Sequence, residues 1–135
     1  MFESLRLRRG EVAAREEALR QAVRALDDTQ RAAFYRDYEA RLKDPDTYAV
    51  LNWFFVAGLH HFYLGKLARG AVNLGLMLLS LGLLVVAAHL GLAVLFALFV
   101  VELPALFRSQ LIVANHNVAL GQRLLARQQA GRPPR

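Results

Sequence analysis

The sequence predicts an all-α membrane protein: a transmembrane helical hairpin, preceded by a membrane-inserted aromatic helix and by amphipathic N-terminal helices. Three observations carry this expectation. Residues 70–107 form a 38-residue apolar block whose only polar side chains are Asn73, Ser80, His89 and Glu102. Of the 11 acidic residues, ten lie in positions 1–46, and Glu102 is the sole acid beyond them. The first 46 residues are instead charge-balanced and patterned at helical spacing. Three regions follow: 1–46, amphipathic cytoplasmic helices; 47–107, the membrane domain; and 108–135, a basic juxtamembrane helix and tail.

Residues 3–26 read as a helix in which Leu5, Val12, Leu19 and Leu26 recur every seven positions. The seam beside them is poor, with Arg8, Arg15 and Ala22 where a coiled coil needs apolar residues. Acid-first pairs Glu11–Arg15 and Glu16–Arg20 suit a solvated helix face. A helix lying along its own chain or the lipid surface is therefore favoured over a coiled coil. Asp27 with Gln30 three residues on has the capping-box pattern that opens a second helix, running to about Lys43. Tyr35, Tyr38 and Leu42 share one of its faces and suit a headgroup layer. Asp44-Pro45 should end it, because the residue before proline avoids the helical region.

The next segment, 48–64, holds six aromatic residues together with Asn52, Gly58, His60 and His61. Either it is a third span, or it enters the bilayer partway and turns at Gly58. Basic residues near the ends of the spans decide for partial insertion. If 48–64 does not cross, Arg31, Arg36, Arg41, Lys43, Lys66, Arg69, Arg108, Arg123 and Arg127 all fall on one side, as the positive-inside rule favours. Both termini are then cytoplasmic. Trp53, Phe54, Phe55, Phe62 and Tyr63 read as an interfacial aromatic belt.

As one helix the apolar block would be about 57 Å long, against a hydrocarbon core of roughly 30 Å, so it must turn back. Ala88-His89-Leu90-Gly91 is the expected break, giving spans at 70–88 and 92–107. Ala71, Gly75 and Gly82 form a small-residue stripe of the kind that lets helices approach closely in lipid. The stripe serves the hairpin's own packing or a homo-oligomer. Pro104 kinks or ends the last span.

The net charge of +6 lies in the Lys66/Arg69 loop and the tail after Phe107. Such juxtamembrane charge points to anionic lipid as partner rather than nucleic acid. No cysteine is present, so disulfides and thiolate metal sites are excluded. No signal-peptide pattern opens the chain. Phosphate-loop, nucleophile-elbow and metalloprotease motifs are absent, and a single membrane acid cannot form a carboxylate pair. The expectation is a protein that is not an enzyme and has no cofactor. His60, His61, Glu102 and His116 are suitable metal-ligand types, but a metal is not expected. Adjacent histidines on a helix point about 100° apart, and His116 lies far beyond the last apolar residue.

Glu102 is an ionisable group in hydrocarbon and needs a partner. The antiparallel hairpin returns it to the end that carries His60, His61, Lys66 and Arg69. Lys66 or Arg69 is its expected permanent cation, with His61 a pH-sensitive second.

The run Gly58-Leu-His-His-Phe-Tyr-Leu-Gly-Lys66 resembles the TM2 domain family, with Gly58, His60, Phe62, Tyr63 and Gly65 at its motif positions. Glu102 stands where that family has an acid, and Gly70, Pro104 and Asn115–Asn117 extend the likeness, which covers roughly residues 28–120. His61 departs from the usual Arg or Lys, making that charge pH-dependent. The resemblance implies a multi-pass protein of the bacterial inner membrane. On that footing the chain is a non-enzymatic interaction or scaffold module, whose N-terminal helices dock an unknown protein partner. The alternative is a small oligomeric proton or ion conduit using Glu102 and the histidines.

Overall fold

The computed structural model describes residues 7–53 and 58–130, which form seven helices and no strand among them. These are α1 (Arg9–Arg24), α2 (Asp28–Glu39), α3 (Pro45–Trp53), α4 (Leu59–Tyr63), α5 (Leu67–Val86), α6 (Ala88–Phe107) and α7 (Ser109–Ala130). Leu5, Phe54 and Phe55, each given a role above, lie outside the described residues.

The soluble-type helices gather on α7. Leu19 and Val23 of α1, Phe34 of α2, and Leu124 and Leu125 of α7 form one buried core, flanked by Leu26 and Tyr38. The seven-residue repeat of α1 is thus used inside the chain, with Val12 and Leu19 buried and Leu26 packed on the core. Arg15, which spoils the coiled-coil seam, donates to Asn115 Oδ1 at 2.7 Å and Gln122 Oε1 at 2.9 Å on α7. Gly121 lets α1 and α7 cross, since a Cβ there would collide with Leu19. Asp27 caps α2 as expected, accepting from the Gln30 backbone N–H at 2.8 Å.

Two boundaries differ from expectation. Helix α2 stops at Glu39 rather than near Lys43. Asp44-Pro45 then starts a helix rather than merely ending one. Asp44 Oδ2 accepts from the Thr47 N–H at 2.6 Å, and Pro45 occupies the first helical position, where its missing N–H is no loss. The Thr47 hydroxyl, and then its backbone N–H, hold the exposed Asp44 carboxyl below its ordinary pKa.

Helices α3 and α4 replace a single helix over 48–64. Gly58, at the start of α4, has φ +64, a left-handed conformation that favours glycine. Gly65 repeats this at its end with φ +72. The expected turn at Gly58 is present.

Helices α5 and α6, of 20 residues each, are the two described helices long and apolar enough to cross a membrane. Only 17% and 22% of their most apolar windows are buried, so they are not the hidden core of a soluble fold. Val85 and Val86 at the tip are 87% and 86% exposed. The hairpin turns on Ala87 alone (φ −149, ψ 79), earlier than the expected break, so His89 and Gly91 belong to the first turn of α6. Pro104 sits inside α6 and does not end it.

The hairpin seam does not use the expected small-residue stripe, which leaves that stripe to the homo-oligomer alternative. The buried residues of α5 are Gly70, Asn73 and Ser80, and those of α6 are Gly91, Leu98, Glu102 and Ala105. Their three-, four- and seven-residue spacings put each set on one helix face. Ala71, Gly75 and Gly82 fall on other faces and are exposed, and a Cβ on Gly75 or Gly82 would meet nothing within 4 Å. The tight approach is at Gly91, where a Cβ would lie 2.7 Å from the Ser80 carbonyl oxygen and the Leu84 nitrogen.

Candidate functional site

The lone acid of the apolar block is held at the base of the hairpin. Glu102, 8% exposed, reaches from α6 toward α4 and α5. His60 Nε2 lies 3.2 Å from Oε2, and His61 Nε2 lies 3.2 Å from Oε1. Asn73 Nδ2 donates to Oε1 at 2.9 Å. With Nε2 protonated, each imidazole donates one hydrogen bond, so the carboxylate accepts three. A buried carboxylate is tolerable when charge-assisted donors replace its water in this way.

Each donor is placed by local sequence. Gly58 starts α4 in a left-handed turn against α5, where a Cβ would clash with Asn73 at 2.7 Å. The His60 ring is fully buried, edge-on to Tyr48 of α3 with centroids 5.4 Å apart. Phe62 packs on Gly70, where a Cβ would come within 2.7 Å of its ring. Tyr63 Oη accepts from the Asp44 N–H at 2.9 Å, and the Lys43 ammonium sits 4.5 Å above its ring. Lys43 is itself clamped by Asn117, whose side-chain oxygen accepts from its N–H at 2.9 Å and whose amide donates to its carbonyl at 2.8 Å. The His-His-Phe-Tyr run thereby ties the acid of α6 to α3, α5 and, through Lys43, α7.

These contacts sort the residues named from sequence. Gly58, His60, His61, Phe62, Tyr63 and Glu102 are brought together, and Gly65 closes α4. The expected Glu102 pair with Lys66 or Arg69 is replaced by hydrogen bonds from the two histidines and Asn73. Lys66 and Arg69 line a groove that adjoins the acid. The short α4 helix explains the difference, since its five residues, barely more than one turn, carry both imidazoles to the returning α6.

The adjacent histidines do converge, contrary to the angular objection, because each takes a separate oxygen of one carboxylate. His60, His61 and Glu102 offer ligand atoms within 4.8 Å of one another, and among the described residues these three form the set that could hold a divalent cation. His116 is not among them. His60 Nδ1 and both amide atoms of Asn52 are buried with no hydrogen-bond partner among the described residues. Sequence reasoning missed Asn73, Tyr48 and the Asn117 clamp. Asn73 carried a signal as one of four polar side chains in the apolar block, and Asn117 only as part of the Asn115–Asn117 likeness.

Comparison with protein-family models, curated proteins and solved structures finds no match to this chain.

Proposed function

We propose that this chain is an integral membrane anchor of TM2 type, a non-enzymatic scaffold whose α1–α2–α7 base presents a docking surface to another protein. Helices α5 and α6 insert as a hairpin, and the base stays on the side that holds both termini. The observation that carries this reading is the state of Glu102. A conduit needs its membrane acid facing a wet path and able to exchange protons, whereas a scaffold needs it locked. Both Glu102 oxygens are engaged, one by His60 and one by His61 and Asn73. This arrangement favours a structural latch over a relay. The N-terminal helices supply the complementary half of the reading. They carry exposed charge of both signs, such as Arg20 with Glu16 and Arg36 with Asp37, on a base packed by its own core.

Proton flux in proteoliposomes loaded with a pH-sensitive dye separates the two readings. The scaffold reading expects wild-type flux equal to empty liposomes and no change in Glu102→Gln. Flux that is present in the wild type and abolished by Glu102→Gln would replace the scaffold with the conduit.

A further inference from the structure

Along one flank of the hairpin seam runs a half-open cavity of about 1190 Å³ that continues down onto α7. It is larger than the ~300–1,000 Å³ usual for small-molecule sites. Its existence has a sequence cause. Ala93, Ala97, Val101 and Ala105 recur every four residues along α6 and line it, so one stripe of that helix carries mostly methyl groups. Leu76 and Leu83 of α5 form the facing wall.

The two ends of the groove differ in chemistry. From Arg69 to Leu83 the wall rises through fourteen residues, about 21 Å of helix, and is apolar beyond Asn73. At the base the lining carries Lys66, Arg69 and Arg123 together with His116 and Asn115. Among the described residues of the lining Glu102 is the one acid, and its oxygens are held by His60, His61 and Asn73. Basic side chains therefore outnumber acidic ones among the described residues of the basal end. His116 reports the same field: burial, then the charges of Lys43, Arg123 and Lys66, hold it below its ordinary pKa.

We infer that this groove binds one anionic phospholipid, its phosphate among Lys66, Arg69 and Arg123 and an acyl chain along the alanine stripe of α6. The length of the groove exceeds half of a hydrocarbon core of roughly 30 Å, so it admits a chain from the leaflet on the α7 side. A groove that opens to lipid along its length is reached by lateral diffusion. The inference rests on the membrane insertion proposed above and names a specific lipid partner for that anchor.

The test uses the full chain in nanodiscs of phosphatidylcholine doped with phosphatidylglycerol. Co-elution of protein with discs is measured first, and its failure would count against membrane insertion itself. Native mass spectrometry of the released protein then reads the retained lipid. Phosphatidylglycerol should be retained in preference to phosphatidylcholine. Arg69→Gln and Arg123→Gln should each weaken retention about fivefold, and together about thirtyfold, at the usual value of a basic residue near an anionic surface. Arg36→Gln, on the exposed face of α2, should leave it unchanged. Ala97→Phe should fill the groove and abolish retention while disc incorporation persists. Equal retention of the two lipids, or retention unaffected by the double arginine variant, overturns the inference. So does complete displacement by inorganic phosphate with no effect of Ala97→Phe, which would mark a phosphate site without a chain. Recovery of paired protein chains carrying no lipid would assign the groove to a second copy and overturn it as well.

Discussion

Glu102 concentrates the residue-scale physics of this protein. A carboxylate taken out of water loses several kcal/mol of solvation and keeps its charge only where donors replace the lost shell. Two imidazoles and one amide supply that shell here. Glu102→Ala should cost about 3–5 kcal/mol, the range for breaking a buried charged network, because three donors lose their acceptor at once. Glu102→Gln should cost less, since its carbonyl oxygen still accepts. Thermal or denaturant unfolding in detergent measures both. Double-mutant cycles assign the partners: Glu102→Gln with His61→Gln or Asn73→Ala should couple by about 0.5–3 kcal/mol. With Lys66→Gln or Arg69→Gln the coupling should be smaller. The larger coupling falling on Lys66 or Arg69 would restore the ion pair that the sequence suggests. That Glu102 needs a partner was legible from its isolation in an apolar block. His61 was named as a second partner and is one, but His60 and Asn73 in place of Lys66 or Arg69 were not legible, because the choice depends on how α4 is aimed, and a five-residue helix set by two positive-φ glycines leaves no periodicity to read.

At the scale of elements, charge pattern and hydropathy foretold most helices, while packing chose their faces. The Asp27 cap, the turn at Gly58 and the paired apolar helices all follow from local sequence. The seam of the hairpin did not. Gly75 and Gly82 look like packing glycines by composition, yet the backbone approach falls at Gly91, where the single-residue turn at Ala87 brings the chains closest. Small residues mark a permissible contact, and the angle of the turn decides which of them is used. Gly91→Ala should therefore destabilise the hairpin by about 1–3 kcal/mol through overpacking against backbone that cannot move aside. Gly82→Ala should be neutral or stabilising by up to ~1 kcal/mol, from helix propensity in open space. Comparing the unfolding midpoints of the two variants checks this. The reverse order would mean that the α5 stripe is the true contact face, within the chain or between copies.

At the scale of the whole molecule, a charged base and an apolar hairpin are joined by one polar latch. The base is held by the α1–α2–α7 core and by side chains of α7 that reach α1, α2 and the segment before α3: Asn115 to Arg15, Gln128 to the Gln30 carbonyl and Asn117 to Lys43. The hairpin leaves its outer surface uncovered, with Phe96 67% and Phe107 78% exposed. An exposed apolar surface of that kind marks contact with a membrane or with another protein, and the proposed anchor assigns it to lipid. The central claim is thus that α5 and α6 cross the bilayer as a pair and return α7 to the side where α1 began. The absence of cysteine from the chain makes single-cysteine labelling a direct readout. With a membrane-impermeant maleimide on sealed, oriented vesicles, Arg24→Cys and Arg127→Cys should label from the same side, and His89→Cys only from the other. Labelling of Arg24→Cys and Arg127→Cys from opposite sides would require an odd number of crossings and contradict the account.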